Sequence, residues 1–390
     1  MEMEIKCPAC SMIHTVEDTA AGSQLKCPNP DCGTLLVVPA LVTQETEPQT
    51  PDSMAGVSDE LLAKKLAESY RVISAEVAKA IVGQDKVIEH ILIAIFAGNH
   101  CLLEGVPGLA KTYMINSLAK AMALSFNRVQ FTPDLMPSDI TGTEVIDKDV
   151  AGGMRGFIFK HGPIFAQLVL ADEINRSPPK TQAALLEAMQ EHTVTIGGQT
   201  HKLHEPFFVL ATQNPIEQEG TYNLPEAQRD RFMFHIEVEY PKREEESDII
   251  KRTTSDFKPN IQPVITGPQI LQCQEIVRRV PVPKHVNDYV LNIVRGCRPD
   301  EAEALPFAKD LIEWGPGPRA CQQLILGGKV RAIINNRPNV TPEDIAALAH
   351  PVLRHRIVPT FNAEADGITV NHIIDKVLAA VSQQTAGAVA

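Results

Sequence analysis

The sequence predicts an α/β fold with a five-stranded, mainly parallel sheet, followed by a helical domain and preceded by a small ribbon that binds metal. Five short apolar runs alternate with helical patterns in the middle of the chain, and helical patterns alone follow Lys242. Four of the eight cysteines lie within the first 32 residues, and this crowding predicts the ribbon.

The five apolar runs do not alternate between apolar and polar residues. A strand without alternation is buried on both faces, as it is when helices cover both sides of a parallel sheet. The runs occupy residues 100–104, 127–131, 168–171, 207–211 and 234–238. After them, apolar residues recur at helical spacing in residues 270–280, 285–295, 319–335 and 342–353.

The composition excludes several classes of protein. The 36 basic and 48 acidic residues give a formal net charge of −12, which argues against a general nucleic-acid or anionic-membrane surface but is compatible with a local basic groove. No apolar run approaches the roughly 18 residues that span a bilayer. The N-terminus, MEMEIKCPAC, lacks the profile of a signal peptide. We therefore expect a cytoplasmic protein without membrane insertion.

The chain of 390 residues is long enough for two or three domains. The predicted segments are the ribbon, residues 1–38; a polar, aperiodic linker, residues 39–60; the α/β domain, residues 61–243; and the helical domain, residues 244–382. Ser58 is expected to cap the first helix. A later helix is predicted over residues 177–190, with Ser177 as N-cap and Pro178 in its first turn.

Two cysteine pairs, CPAC and CPNPDC, predict a zinc ribbon. Four thiolates at this spacing can close a tetrahedral zinc site, with each pair on a tight turn shaped by prolines. The predicted ligands are Cys7, Cys10, Cys27 and Cys32. So short a segment has few apolar residues and needs metal to fold. Four thiolates leave no open position for catalysis, and the segment has only two lysines, so phosphate-backbone affinity should be weak.

A phosphate-binding loop is predicted within LLEGVPGLAKTYMI, residues 102–115. A strand feeds a Gly/Pro turn, and Lys111 and Thr112 start a helix. Helix amides and the lysine ammonium can then meet phosphates, while the threonine hydroxyl ligates magnesium. Gly105 and Gly108 supply the strained or close-approach backbone positions. Ala110 stands where a glycine is usual, and we expect an alanine, with only one methyl group, to fit there if its φ is negative.

Polar side chains follow two later predicted strands, at residues 168–171 and 207–211. Asp172 and Glu173 follow an apolar run, at the sheet edge where α/β proteins bind ligands. We expect Asp172 to hold magnesium through its waters and Glu173 to orient or deprotonate the attacking water. Asn214, in ATQNP, can hold that water or the γ-phosphate without adding charge. Alone, its Asn-Pro pair would indicate only a turn.

These motifs together resemble the MoxR family of AAA+ ATPases. The resemblance covers roughly residues 81–357 and rests on IVGQ, LLEGVPGLAKT, FTPDLMPSDITG, GPIF, LADEINRSPPKTQAALLEAMQE, ATQNPIEQEGTYNLPEAQRDRF, GPRA and LRHRI, in that order. In this family an alanine before the loop lysine is usual. The resemblance implies a P-loop AAA+ domain with a helical lid, ATP and Mg²⁺; a ribbon carrying Zn²⁺ is not a usual part of the family core.

The resemblance also implies roles for individual residues. Lys111 and Thr112 match Walker A, and Asp172 and Glu173 match Walker B. Asn214 matches sensor 1, and Arg319 matches sensor 2, which contacts the γ-phosphate from the lid. The remaining nucleotide-binding residues implied are Gly105, Val106, Pro107, Gly108, Leu109 and Ala110 in the loop, and Val82, Gly83 and Gln84 beside the adenine.

An arginine finger is implied in AQRDRF. Arg231 matches it, and a guanidinium that neutralises transition-state charge at a neighbour's γ-phosphate makes hydrolysis depend on assembly. Arg229 is the rival, because the usual family phrase has leucine there. Either arginine could instead form a surface ion pair with Glu226 or Asp230.

Two insertions complete the resemblance. Residues 141–160 resemble the helix-2 insert, and residues 192–206 resemble the hairpin before sensor 1. Alternation in residues 193–196 followed by Gly197-Gly198 independently predicts a hairpin. In a ring both insertions would face the pore or a client; an ordinary surface hairpin is the other interpretation.

The resemblance implies an ATP-driven remodeller: a homo-oligomeric ring, expected to be a hexamer, that matures a client protein with a von Willebrand factor A-domain partner. A nucleic-acid motor is the alternative, since related proteins include helicases, but residues 192–206 offer only Lys202 as a cation. A scaffold gated by nucleotide binding is the third hypothesis. Intact Glu173, Asn214 and Arg231 argue against it.

Overall fold

The structure is a computed structural model of the chain. It describes residues 2–6, 10, 13–17, 24–27, 29, 32, 35–37, 58–147, 156–215 and 221–387. The chain forms two compact units, Met1–Gly56 and Val57–Ala390. The predicted linker lies outside the described residues up to position 57.

The first unit contains two short antiparallel pairs. Strand β1 (Glu2–Lys6) pairs with β2 (Ile13–Glu17), and β3 (Gln24–Lys26) pairs with β4 (Leu35–Val37). Each strand pair flanks one cysteine pair of the sequence, and this order fits the predicted ribbon.

The second unit contains eleven strands within the described residues. They are β5 (Cys101–Glu104), β6 (Phe126–Gln130), β7 (Gly142–Asp147), β8 (Gly156–His161), β9 (Leu168–Asp172), β10 (Thr193–Ile196), β11 (Gln199–Lys202), β12 (Phe208–Gln213), β13 (Phe234–Glu237), β14 (Ile312–Trp314) and β15 (Val358–Pro359). Five of them form one parallel sheet in the order β13-β5-β12-β9-β6. These are the five predicted strands, so the predicted sheet is confirmed.

Fourteen α-helices fall within the described residues. They are α1 (Asp59–Ala78), α2 (Asp85–Phe96), α3 (Lys111–Ala121), α4 (Pro137–Thr141), α5 (Pro179–Glu191), α6 (Glu226–Arg229), α7 (Arg243–Thr253), α8 (Gly267–Arg279), α9 (Lys284–Gly296), α10 (Ala308–Leu311), α11 (Pro318–Ile334), α12 (Pro342–Leu353), α13 (Phe361–Ala365) and α14 (Val370–Gly387). Helices α7 to α14 form the helical lid region, with β14 and β15 as a small antiparallel pair that the sequence did not predict.

Apolar packing on both faces explains why the central strands lack alternation. In β9, Leu168 and Leu170 belong to one apolar cluster, and Val169 and Ala171 belong to another. The first cluster also includes α1, α2, α3 and the lid helices, while the second includes α5. Helices therefore cover both faces, as parallel sheets require.

Of the two predicted N-caps, the one for α1 is observed and the one for α5 is not. The Ser58 hydroxyl accepts a hydrogen bond from the Leu61 amide at the start of α1, as expected. The N-cap of α5 is Pro178, not the expected Ser177. Ser177 is fully buried, and its hydroxyl lies 3.5 Å from the Ile174 carbonyl of the preceding 3₁₀ turn, so it turns back toward that segment. None of the helices in the described ranges is long and apolar enough to span a bilayer.

Candidate nucleotide-binding site

A cleft of about 400 Å³ lies at the carboxyl edge of the parallel sheet. Strand register brings the ends of β5, β12 and β9 together, because β12 pairs with both of the other strands. The residues lining the cleft are Pro107, Gly108, Leu109, Ala110, Lys111, Thr112, Tyr113, Arg128, Asp172, Glu173, Thr212, Gln213 and Asn214. The structure therefore brings the predicted Walker A, Walker B and sensor 1 side chains to one site.

The loop before α3 contains one glycine that the packing requires. A Cβ added at Gly105 would lie 2.8 Å from the Val238 carbonyl oxygen, so the backbone approaches its neighbour too closely for a side chain. Gly108 has φ +90°. The expectation for Ala110 was wrong: its φ is +53°, and it is the N-cap of α3 in the left-handed region. The chain takes this conformation as it turns from the loop into the helix.

Lys111 reaches back across the loop. Its ammonium donates to the Gly105 carbonyl at 2.5 Å. Partial burial lowers the pKa of Lys111, and the carboxylates of Asp172 and Glu173 oppose that shift. The cleft thus holds a cation and two carboxylates within electrostatic range of each other.

Asp172 is the more deeply buried of the two acids in the cleft. It is 9% exposed; its Oδ1 accepts a hydrogen bond from the Thr212 hydroxyl at 2.6 Å. Its Oδ2 accepts from Nε and Nη2 of Arg128, at 3.0 and 2.6 Å. Arg128 projects from β6, the strand beside β9. Its bond to Asp172 is a charge-assisted, two-donor contact.

Glu173 is held by neutral and cationic donors. Its Oε2 accepts from the Gln130 amide at 2.8 Å and from Nη1 of Arg176 at 2.9 Å. Its backbone N–H donates to the Thr212 hydroxyl at 2.8 Å. Glu173 itself has φ +57°. These contacts fix the direction of the carboxylate that is predicted to activate water.

The sequence interpretation missed Arg128, Gln130 and Thr212. A signal was present, because Arg128 and Gln130 are two residues apart in one strand and so share one face. Thr212 lies near the end of the buried strand β12, two residues before Asn214. Their contact with Asp172 and Glu173 depends on the strand order β12-β9-β6, which these local patterns did not give.

A second, more apolar cleft adjoins the first. It has a volume of about 150 Å³ and shares Gly108, Leu109, Ala110 and Tyr113 with the phosphate-side cleft. Val82 and Gln84, predicted to line an adenine pocket, lie in it with Ile81, Met114 and Ile249. An apolar cleft beside a polar one that holds a lysine fits a nucleotide, with the base in the first and the phosphates in the second.

Gly83 lies next to this apolar cleft without lining it. It has φ +70°, and a Cβ there would meet the Glu245 carboxylate at 2.8 Å. The Gln84 side chain donates to the Glu239 carbonyl at 2.8 Å, and it precedes α2 in the left-handed region at φ +61°. These contacts tie the start of α2 to the segment before α7.

Arg231 and Arg319 lie elsewhere. Both line a polar cleft of about 150 Å³ with His100, at the amino end of β5. The phosphate-side cleft is at the other end of that strand, on the order of 13 Å away for four residues. Arg231 donates to the Leu186 carbonyl at 2.8 Å, and Arg319 donates to Asp230 at 2.9 Å. The structure does not bring either arginine to the phosphate-side cleft of its own chain.

The rival Arg229 has different surroundings. Its Nη2 lies 3.6 Å from the Glu226 carboxylate. Its Nε is buried and has no hydrogen-bond partner among the described residues. Arg229 does not line the polar cleft that holds Arg231 and Arg319.

Each of the two predicted insertions contains an antiparallel strand pair, and the two pairs contact each other; residues 148–155 of the first insertion lie outside the described residues. One is formed by β7 and β8, and the other by β10 and β11 around Gly197 and Gly198. Phe159 of the first stacks on His201 of the second, with ring centroids 4.2 Å apart. Lys202 is the one Lys or Arg in the second hairpin, β10 to β11.

Three of the four predicted zinc ligands converge in the first unit. The Sγ atoms of Cys10, Cys27 and Cys32 all lie within 4.8 Å of one another, and Cys10 and Cys27 are 3.7 Å apart. Cys27 is 5% exposed. Cys7 lies outside the described residues. Three converging thiols fit a zinc ion, because thiolate sulfurs bound to one ion must lie this close.

Comparison with known proteins agrees with these observations. The model of the ATPase family associated with various cellular activities (AAA) matches residues 100–234, and that of the AAA lid domain matches residues 307–377. Chaperone MoxR1 of Mycobacterium tuberculosis is 43% identical over 314 residues, covering 80% of this chain and 82% of that protein. The uncharacterized protein YeaC of Bacillus subtilis is 39% identical, covering 78% and 91%.

The solved structure of a candidate ATPase from Cytophaga hutchinsonii has the same fold. It superposes with a TM-score of 0.76 at 43% identity, covering 82% of this chain and 96% of that one. The family models, the relatives and the cleft at the carboxyl edge of the sheet together identify this chain as a member of the MoxR family of AAA+ ATPases.

Proposed function

We propose that this chain is a magnesium-dependent ATPase that works as a ring, with each ATP hydrolysed between two neighbouring subunits. The proposal rests on the distance between the phosphate-side cleft and the two arginines implied to act on the phosphates. The phosphate-side cleft lies at the carboxyl edge of the sheet, whereas Arg231 and Arg319 lie at the amino edge. A second subunit could supply these arginines to the cleft, and hydrolysis would then require assembly.

Within the cleft, the residues fit Mg²⁺ and ATP. Lys111 and the first amides of α3 would bind phosphate oxygens, and Thr112 and Asp172 would hold the metal. The metal would neutralise phosphate charge. Glu173, fixed by Gln130 and Arg176, would orient or deprotonate the attacking water, with Asn214 beside it.

We further propose that ATP turnover drives the remodelling of a client protein. The support is the similarity to Chaperone MoxR1, at 43% identity over most of both chains. The β7–β8 and β10–β11 hairpins are the proposed client-facing surface. A hexamer and a von Willebrand factor A-domain partner protein belong to the same proposal, through the resemblance to the family. The zinc ribbon would recruit or position a protein partner.

The test uses single variants and then a mixture. Lys111→Ala should abolish ATP binding, whereas Glu173→Gln should bind ATP but release phosphate at least about 100-fold more slowly than wild type. Arg231→Ala should also be slow. Mixing Arg231→Ala with Glu173→Gln subunits should recover turnover, because one subunit supplies an intact cleft and the other an intact arginine. Lys120→Ala, on the same helix as Lys111, is the matched control.

Three results would refute parts of the proposal. Wild-type turnover in both cleft variants would refute the assigned site. Recovery with Arg229→Ala/Glu173→Gln mixtures, with no effect of Arg231→Ala, would transfer the trans role to Arg229. Nucleotide binding without magnesium-dependent phosphate release by the wild type, even with partner present, would favour the scaffold hypothesis.

A DNA motor is the second candidate, because of a weaker similarity. The Holliday junction branch migration subunit RuvB of Koribacter versatilis is 25% identical over 251 residues. The net charge of −12 and the single lysine in β10–β11 argue against this function. Micromolar or tighter, salt-dependent binding to duplex DNA at physiological salt would revive it.

A further inference from the structure

The carboxylate of Asp230 is bridged by two arginines of the lid. Arg356 donates from Nε to Oδ1 at 2.7 Å, and Arg319 donates from Nη1 to Oδ2 at 2.9 Å. Arg356 also donates to the backbone carbonyl of Asp230 at 2.9 Å. Asp230 separates Arg229 from Arg231, so the lid holds the residue that adjoins both candidate fingers.

Arg356 is buried and serves several acceptors in one stretch of chain. Its side chain is 1% exposed, and it donates to the carbonyls of Phe232 and Met233 at 2.7 and 3.2 Å. Burial lowers the pKa of Arg356 to about 10, and Asp230 opposes that shift, so the group stays charged at neutral pH. A planar guanidinium can serve these directions at once, and a lysine cannot.

The two residues before Arg356 hold the same part of the chain. Arg354 pairs with Glu237 at 2.8 Å. His355 Nε2 lies 3.1 Å from the Phe232 carbonyl, so Nε2 carries the proton and donates. Burial lowers the pKa of His355 well below its usual range, and the ring is neutral. Three consecutive lid residues therefore hold residues 230–237.

We propose that Asp230 is a positioning residue that couples the lid to Arg231, so that Arg231 is aimed at the neighbouring subunit's nucleotide only while Arg356 and Arg319 hold Asp230. The proposal rests on the proposed function, in which Arg231 acts in trans. Among the described residues, the Arg231 side chain makes one hydrogen bond, which it donates to the Leu186 carbonyl. Its backbone direction is set by Asp230 and Phe232 on either side, both of which Arg356 holds.

Asp230→Asn tests the coupling, since it keeps the shape of the side chain and removes its charge. We expect kcat to fall at least about tenfold, because an error on the order of 1 Å at a reacting centre is enough for this. The KM for ATP and the Kd for a fluorescent ATP analogue should change less than about twofold, because the phosphate-side cleft is at the other edge of the sheet. Asp59→Asn is the control: it removes an exposed carboxylate whose arginine partner, Arg279, is 2.8 Å away, and should leave kcat and KM unchanged.

A mixing experiment separates positioning from misfolding. Asp230→Asn subunits keep an intact cleft, and Glu173→Gln subunits keep Asp230 and Arg231, so the mixture should turn over faster than the sum of the two alone. Asp230→Asn mixed with Arg231→Ala should show no gain. Unchanged kcat, an equal loss in ATP affinity, or no gain with Glu173→Gln would overturn the proposal. Failure of the proposed function is distinct: Arg231→Ala and Glu173→Gln mixtures would then not recover either.

Discussion

Three residues with side chains adopt the left-handed backbone conformation around the two nucleotide-side clefts. They are Gln84 (φ +61°), Ala110 (φ +53°) and Glu173 (φ +57°). Each is the N-cap of the helix or 3₁₀ turn that follows it. A side chain in this region costs roughly 1–2 kcal/mol, and such strain persists where the surrounding structure enforces it, often at functional sites.

Ala110 offers the cleanest test of this strain. Ala110→Gly should bind ATP like the wild type and change the free energy of unfolding by less than about 1 kcal/mol, because relief of strain offsets the greater flexibility of the unfolded chain. Ala110→Val should weaken ATP binding at least about tenfold, because a β-branched residue does not tolerate this φ. Titration with a fluorescent ATP analogue and urea unfolding measure both effects.

Ala302→Val is the control for Ala110→Val, since Ala302 is exposed and its φ is not positive. It should leave both quantities unchanged. Wild-type ATP binding by Ala110→Val would mean that the loop does not need the left-handed conformation.

The sequence predicted the residues of the cleft that lie in local motifs. Asp172 ends a strand, Asn214 directly follows one, and Lys111 starts the helix after one. Their meeting therefore needed only the rule that parallel strands end at one edge. Arg128 was not predicted, because its contact with Asp172 is a pairing across strands 44 residues apart. The φ of Ala110 was predicted wrongly, because residues with a side chain usually avoid positive φ, whereas here the turn into α3 decides the conformation.

At the scale of elements, His100 joins the start of β5 to two neighbours. Its Nδ1 accepts from the Val209 amide of β12 at 3.0 Å, and its Nε2 lies 3.1 Å from the Met189 carbonyl of α5. A ring that accepts at Nδ1 must be neutral and carry its proton on Nε2. Burial lowers the pKa of His100 to about 4. Protonation would break the bond to β12.

Because His100 is neutral in the folded protein, we expect the free energy of unfolding to fall in acid. Its folded-state pKa lies below its unfolded value of 6.5, so the unfolded chain binds the proton first as pH falls from 6.5 toward 4. Between pH 7.5 and 5.0 this residue should cost about 2 kcal/mol of unfolding free energy. His100→Asn should have a lower free energy of unfolding than the wild type at pH 7.5. At pH 5.0 the difference between the two free energies should be smaller by about 2 kcal/mol.

Urea unfolding at the two pH values measures this difference in the free energy of unfolding. His285→Asn, at an exposed histidine, should leave the pH dependence unchanged. A constant gap between wild type and His100→Asn at both pH values would contradict the assigned neutral state of His100.

Element boundaries were predicted well where packing and local chemistry agree. The start of α1 followed the Ser58 cap, and α12 occupies the predicted residues with Thr341 as its N-cap. The start of α5 was misplaced because Ser177 is buried beneath a 3₁₀ turn, and the sequence pattern did not reveal that turn. The β14–β15 pair was not predicted, since two or three residues per strand carry no periodicity.

At the scale of the whole molecule, the second unit presents two unlike polar surfaces. One is the cleft with Lys111 and Asp172, and the other is the cleft with Arg231 and Arg319, at opposite edges of one sheet. Two unlike surfaces that fit each other make a head-to-tail contact, which closes into a ring when the rotation between copies allows. This geometry favours the proposed ring over a two-fold dimer, in which one surface meets its own copy.

Because the chain forms two compact units, we expect metal binding to belong to the first unit and ATP turnover to the second. The full chain should bind one Zn²⁺ per subunit, because three cysteine sulfurs converge and Cys7 precedes them in a ribbon-type pair. A chain of residues 57–390 should bind none, yet it should keep the ATPase rate per subunit, since both large apolar clusters and both nucleotide-side clefts lie in it. Metal analysis by mass spectrometry and phosphate-release assays measure the two properties.

Single substitutions in the full chain test which cysteines bind the zinc ion. Cys27→Ser should lower the zinc content at least about tenfold, because a structural site that loses one thiolate loses its tetrahedral closure. Cys321→Ser, in α11 of the lid, should keep the full zinc content. Zinc retained by Cys27→Ser would place the metal elsewhere, and an ATPase rate lost with residues 1–56 would show that the ribbon supports catalysis directly. If neither outcome is seen, the proposed role of the ribbon as a surface for a partner stands, since all residues of the phosphate-side cleft belong to the second unit.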